Sequence, residues 1–204
     1  MTNFAHKHQT ARIKFYKALA PLLEINGWSE ELIKKAEELC GFEQGYSHIL
    51  FTDGRIELLK SFEAWQDQLM LDTLDKIEKP KKIREQIALA LEIRIMQVIA
   101  KDAALNNSAH HLLPTNILAA SEAACHTCDV IWKYAGDKST DFNYYTKRGL
   151  LLPVYLSAKA FYFADNSEDH QKTKEFIKNA LDNIINIASF KLKLEDIPIL
   201  RMFS

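Results

Sequence analysis

The sequence predicts an all-α protein, and three observations carry that expectation. The chain of 204 residues holds only six glycines and five prolines, too few for the closely spaced turns of many short strands. Apolar residues recur three and four apart over long stretches, the period of a helix with one buried face. The strand-like pieces, "ILF" at 49–51 and "FKLKL" at 190–194, are too short to found a sheet.

The first helix is expected from near Thr10 to Ile25, bent at Pro21, with Ile13, Tyr16, Leu19 and Leu23 on one stripe. "NGW" breaks it. Ser29 caps a short second helix whose first turn carries Glu30 and Glu31, and Cys40-Gly41 stops it. "FEQGYSHILF" at 42–51 reads as a third short helix. After "TDG", a longer helix runs from near Arg55 to near Ile77, and "EKPKK" ends it. Residues 82–100 are apolar on most of their circumference, as in a helix surrounded by others. "NNSAHHLLP" at 106–114 reads as a loop, with Pro114 opening the next helix. That helix carries Ile117, Cys125, Cys128, Ile131 and Trp132 and ends at Gly136. Two more are expected, from near Asp141 to Ala164 and from Glu168 to Phe190. The last has an apolar stripe at Phe176, Ile177, Leu181, Ile184, Ile185 and Ala188. The tail at 191–203 is amphipathic and contains Pro198. The outline is three short helices followed by five longer ones, divided into a helix-turn-helix-like region at 1–60 and one continuous helical domain at 61–204.

Composition removes several function classes. Lys plus Arg is 26 and Asp plus Glu is 27, so there is no large basic face for nucleic acid. The third short helix, where a DNA reader would carry phosphate donors, has no Lys or Arg and one Glu. No nucleic-acid partner is expected. The N-terminus has no secretory apolar stretch, no run of eighteen apolar residues exists, and three cysteines fit a reducing compartment. "CHTC" at 125–128 falls in mid-helix with no preceding strand, so core packing is expected rather than redox or zinc chemistry. No histidine has a glutamate three residues before it, which removes the di-iron ligand pair of helical bundles. No catalytic constellation, metal site or cofactor is expected.

One stretch is more specific. "DVIWKYAGDKSTDFNYYTKRGLLLPVYLSAKAFYFAD" at 129–165 sets two tyrosines and a Lys-Arg pair on the head of a long apolar helix. It resembles the signature of the coenzyme Q nine family, accessory lipid-binding factors of ubiquinone biosynthesis. "RIKFYKALAPLLEINGWSEELIKKAEELCG" at 12–41 and "HILFTDGRIELLKSF" at 48–62 are similar to the family's N-terminal half. The resemblance implies a TetR-like helical bundle, a homodimer and an apolar cavity for an isoprenoid lipid. It also implies a partner, the pathway's di-iron hydroxylase, to which a ubiquinone precursor is presented without catalysis by this chain.

By position, the docking patch implied by the family is Asp129, Asp141, Tyr144 and Tyr145. The family usually carries tryptophan where this chain has Tyr144. The cavity is expected between helices 82–100, 115–135 and 141–164, near Met96, Trp132 and Phe161, with Pro153 kinking the last of these. The last two helices are expected to build the dimer. The membrane helix of mitochondrial members is reduced here to the tail at 191–203, so the expectation is a bacterial cytoplasmic protein with peripheral contact at the inner membrane. The competing reading is a TetR-like transcriptional regulator with an apolar effector pocket. A thiol enzyme using Cys125 and Cys128 stands third.

Overall fold

The computed structural model describes residues 2–140 and 142–195, and side chains over 5–140 and 143–184. Nine α-helices and one 3-10 turn are present among the described residues, with no strand. They are α1 Thr2–Ile25, α2 Glu30–Leu39, α3 Ser47–Leu50, α4 Gly54–Leu74, α5 Ile83–Met96, α6 Lys101–His111, α7 Ile117–Tyr134, α8 Phe142–Ala164 and α9 Gln171–Glu195. The 3-10 turn at Glu168–His170 leads into α9.

Local signals set most boundaries. Ser29 Oγ accepts the Leu32 amide at 3.1 Å, which satisfies one of the free donors at the start of α2. Gly136, at φ +86, ends α7 with the Gly136 amide donating to Lys133 O and the Asp137 amide to Trp132 O. This left-handed reversal needs glycine and turns the chain back toward α8. Pro21 and Pro153 lie inside α1 and α8, which continue through them.

α6 departs from expectation, because residues 106–111 are helical rather than looped. Asn106, Asn107 and Ser108 are weak helix formers, and tertiary bonds outweigh that preference. Asn106 Nδ2 donates to Leu23 O at 2.7 Å. Asn107, fully buried, accepts from Trp28 Nε1 at 3.0 Å and donates to Glu63 Oε1 at 2.6 Å. α6 is thereby clamped onto α1.

The interior has two apolar clusters. One joins Phe15, Tyr16, Leu19 and Leu23 of α1 to Leu32, Phe51, Leu59 and Phe62. The other joins Met70 and Leu74 of α4 to Leu91 and Ile93, to Cys128 and Ile131, and to Tyr155, Ala158 and Ile177. α4 runs through both, so residue 60, the expected division, falls inside a helix.

Between the clusters lies a buried polar network. Arg94 Nε donates to Asp67 Oδ1 at 2.7 Å, Nη1 to Gln66 Oε1 at 2.9 Å and Nη2 to Glu63 Oε2 at 2.5 Å. Asp67 also accepts from Thr127 Oγ1 at 2.9 Å and lies 3.0 Å from His126 Nδ1. Five segments meet here: the α1–α2 junction, α4, α5, α6 and α7.

Candidate functional site

The space for a ligand is an apolar groove of about 580 Å³, within the usual size range of small-molecule sites. α6 contributes Leu105, Ala109 and Leu112; α7 contributes Ile117, Ala120 and Ala124; α8 contributes Leu152, Leu156 and Phe163. Helical spacing puts each set on one face. The alanines keep the facing helices from filling the gap. Part of the lining faces outward, with Leu112 75% and Ile117 54% exposed.

The groove is not wholly apolar. Glu63, His111, Tyr155 and Lys159 also line it. Glu63 belongs to the buried network; burial would raise its pKa, but Lys159, Arg94 and His111 reverse that and hold its carboxyl well below the usual range. His111 Nε2 lies 3.7 Å from Glu63 Oε1, yet burial keeps the imidazole below its ordinary pKa and therefore neutral near pH 7. Tyr155 is pushed up by burial.

The expected lining residues stand elsewhere. Met96 ends α5 and packs half-buried against the second cluster. Trp132 donates from Nε1 to Lys147 O at 3.0 Å at the end of α7. Phe161 stacks on Phe176 with ring centroids 4.8 Å apart, on the outer side of α8 and α9. None of the three lines the groove, which opens against α6 rather than α5. Of the expected dimer stripe at Phe176, Leu181, Ile184 and Ile185, Leu181 is buried in this chain's own core, as is the expected small residue Ala158. The side chains of Ile185 and Ala188 lie outside the described residues, as does the tail from residue 196.

The α7–α8 corner holds the other expected residues. Arg148 Nε donates to Asp129 Oδ1 at 2.9 Å and Nη1 to Asp137 Oδ2 at 2.5 Å, while its guanidinium carbon sits 3.7 Å from the Tyr144 ring centroid. Lys147 Nζ donates to Asp137 Oδ1 at 2.6 Å and to Ser139 Oγ at 2.8 Å. Burial would raise the Asp129 carboxyl, but hydrogen bonds from Lys133, Arg148 and Tyr144 bring it below the ordinary range. Asp129 and Tyr144 are thus engaged in fastening α7 to α8. Tyr145 is 72% exposed and touches Tyr144 edge-on at 5.2 Å. Asp141 lies outside the described residues.

Cys128 is fully buried and its thiol is pushed up to about 12, by burial first and then by Cys125 and Asp67, which is the behaviour of a packing residue. Among the described residues no group of His, Cys, Asp or Glu is arranged to hold a metal ion. No helix among them is long and apolar enough to cross a membrane.

Sequence reasoning missed Lys159, His111, Glu63 and Arg148 as site residues. Lys159 left a signal, as the sole charge in the run 149–164. Glu63 and His111 are recognisable only once α4, α6 and α8 are brought together, and Arg148 only once α7 packs on α8.

A family model described as COQ9 matches residues 117–188, which take in α7, α8 and much of α9. The chain is 31% identical over 194 residues to the probable ubiquinone biosynthesis protein coq9, mitochondrial, of Dictyostelium discoideum, covering 91% of this chain and 63% of that protein. It is 25% identical over 193 residues to the human ubiquinone biosynthesis protein COQ9, mitochondrial, covering 89% and 58%. For the Drosophila melanogaster protein of the same name the identity is 22% over 189 residues, covering 89% and 57%. The chain therefore spans less than two thirds of the length of these curated relatives. All three are named mitochondrial, which lends no support to the expected bacterial placement. In the α7–α8 region, where the family model matches, and along most of its length, the chain is similar to COQ9 proteins of ubiquinone biosynthesis.

Proposed function

We propose that the chain acts in ubiquinone biosynthesis as a non-catalytic lipid-binding factor. It takes a polyprenyl quinone precursor into the groove between α6, α7 and α8 and presents it to the di-iron hydroxylase of the pathway. The groove carries this reading: an apolar channel on a chain whose relatives are named for ubiquinone biosynthesis. Burying an isoprenoid tail stabilises the complex by about 0.8 kcal/mol per CH2 equivalent, so such a tail partitions out of water into this surface. Tyr145, exposed above the fastened corner, has the form of an aromatic interface anchor for the hydroxylase. A TetR-like arrangement and a homodimer built through the outer side of α8 and α9, where Phe161 and Phe176 stack, belong to the same proposal.

The test is mass spectrometry of lipid extracted from the purified protein. Wild type is expected to carry a prenylated lipid, and Ala120→Trp, which fills the groove, to carry much less with unchanged helicity. Equal lipid in both proteins, or none in either, overturns the reading.

A further inference from the structure

Lys159 sits on the groove face of α8, one turn from Tyr155 and on the same face as Leu152, Leu156 and Phe163. Its surroundings leave its donors free. The two Glu63 oxygens are already taken, Oε2 by Arg94 at 2.5 Å and Oε1 by Asn107 at 2.6 Å. Among the described residues Lys159 Nζ has no hydrogen bond and no direct ion pair; its contact is with the Tyr155 ring, 5.9 Å from the centroid. Tyr155, one turn away, lines the same groove. Burial first, and Arg94 with it, depresses the lysine pKa against the opposing pull of Glu63 and Asp67, so the amine lacks a partner that fully offsets its desolvation. An amine with free donors in a largely apolar channel is costly unless an acceptor meets it. An apolar tail supplies none.

We propose that Lys159 is the head-recognition residue of the groove, donating from Nζ to a ring oxygen of an uncharged quinone-type head that lies against His111 and Tyr155. The inference rests on the lipid-binding reading above and adds the polarity of the ligand to it. The tail then runs along Leu152, Leu156 and Leu112 toward the mouth. Charge selects the head. Glu63 and Asp67 are balanced by Arg94 and Lys159, so the site takes a neutral oxygen acceptor without setting two anions side by side. A phosphate would share the ammonium but stand against the Glu63 carboxylate. Both ligands offer oxygen acceptors, and binding measurements separate them.

The experiment uses the full chain, after delipidation, and quenching of intrinsic tryptophan fluorescence. The probes are a short-tailed prenyl benzoquinone, the same tail on an oxygen-free aromatic ring, and a lysophosphatidylglycerol. Wild type is expected to prefer the quinone over the oxygen-free ring by roughly tenfold or more, the value of a hydrogen bond to a charged group. Lys159→Met should bring the quinone down to the oxygen-free level while leaving that level unchanged, and Lys159→Arg should keep most of the preference. Circular dichroism establishes that each variant is folded, with Lys159→Gln as the second uncharged variant. A quinone preference that survives Lys159→Met and Lys159→Gln overturns the assignment but leaves the groove reading standing. Tighter binding of the lysophospholipid that depends on Lys159 overturns the quinone head in favour of a phosphate one. Failure of every probe on wild type overturns both the head assignment and the lipid-binding reading.

Discussion

Arg94→Met tests how the groove floor is held. The substitution removes the guanidinium while keeping much of its volume inside the core. In the wild type, Arg94 donates to Asp67, Gln66 and Glu63, and the three charged side chains are at most 5% exposed. Without Arg94, Glu63 keeps Asn107 and the nearby Lys159 and His111, and Asp67 keeps Thr127 and His126, but the two buried carboxylates lose the cation bonded to both. Breaking a buried ion pair from one side costs about 3–5 kcal/mol, a large part of the ~5–15 kcal/mol by which a domain is stable. The pH dependence has a sign. In the wild type the depressed Glu63 carboxyl contributes stability that is full above its unfolded pKa of about 4.3 and is lost as pH falls through the lower folded value. In Arg94→Met, burial is opposed by Lys159 and His111 without the guanidinium and the folded pKa moves upward, so less stability is gained as pH rises through the carboxylate range and the difference between the two proteins narrows in acid. Urea unfolding at fixed protein concentration, followed by tryptophan fluorescence and far-ultraviolet circular dichroism, measures both proteins at about pH 7 and about pH 4. The gap should be widest near neutrality and narrow on acidification. A loss below ~1 kcal/mol at neutral pH, or a gap that widens in acid, refutes the reasoning.

Two further substitutions separate fastening from docking at the α7–α8 corner. Arg148→Leu leaves Asp129 with Lys133 and Asp137 with Lys147 but removes the charged hydrogen bonds that tie them together, and should cost about 2 kcal/mol of stability in urea unfolding, whereas Tyr145→Ala should change it by less than ~0.5 kcal/mol. Tyr145→Ala should instead weaken capture of the di-iron hydroxylase by roughly thirtyfold, about 2 kcal/mol, and undiminished capture would make this tyrosine ordinary surface. For the thiols, iodoacetamide should label exposed Cys125 in the folded chain and reach Cys128 only after urea; comparable folded-state rates would contradict the high Cys128 pKa.

The fold class was legible because it depends on local periodicity and on a few caps. Ser29, Gly41 and Gly136 mark their helix ends in any context, since an N-cap oxygen or a left-handed residue acts within one turn. The signature at 129–165 was legible as well, and with it the resemblance that the family match upholds. The candidate site was not. α6 reads as a loop because its asparagines favour turns, and only contacts with Leu23, Trp28 and Glu63, far away in the chain, make it a helix. The groove depends on α6, so its lining could not be read without it, and Met96, Trp132 and Phe161 lie outside that lining. Arg94 and Lys159 look alike as charges flanked by apolar residues in their helices. One is fully bonded and the other has free donors in a channel, a difference created by what α4 brings to each. Periodicity and capping act over a few residues and can be read along the chain; which buried charges find partners depends on side chains from distant segments, and only the packed structure decides it.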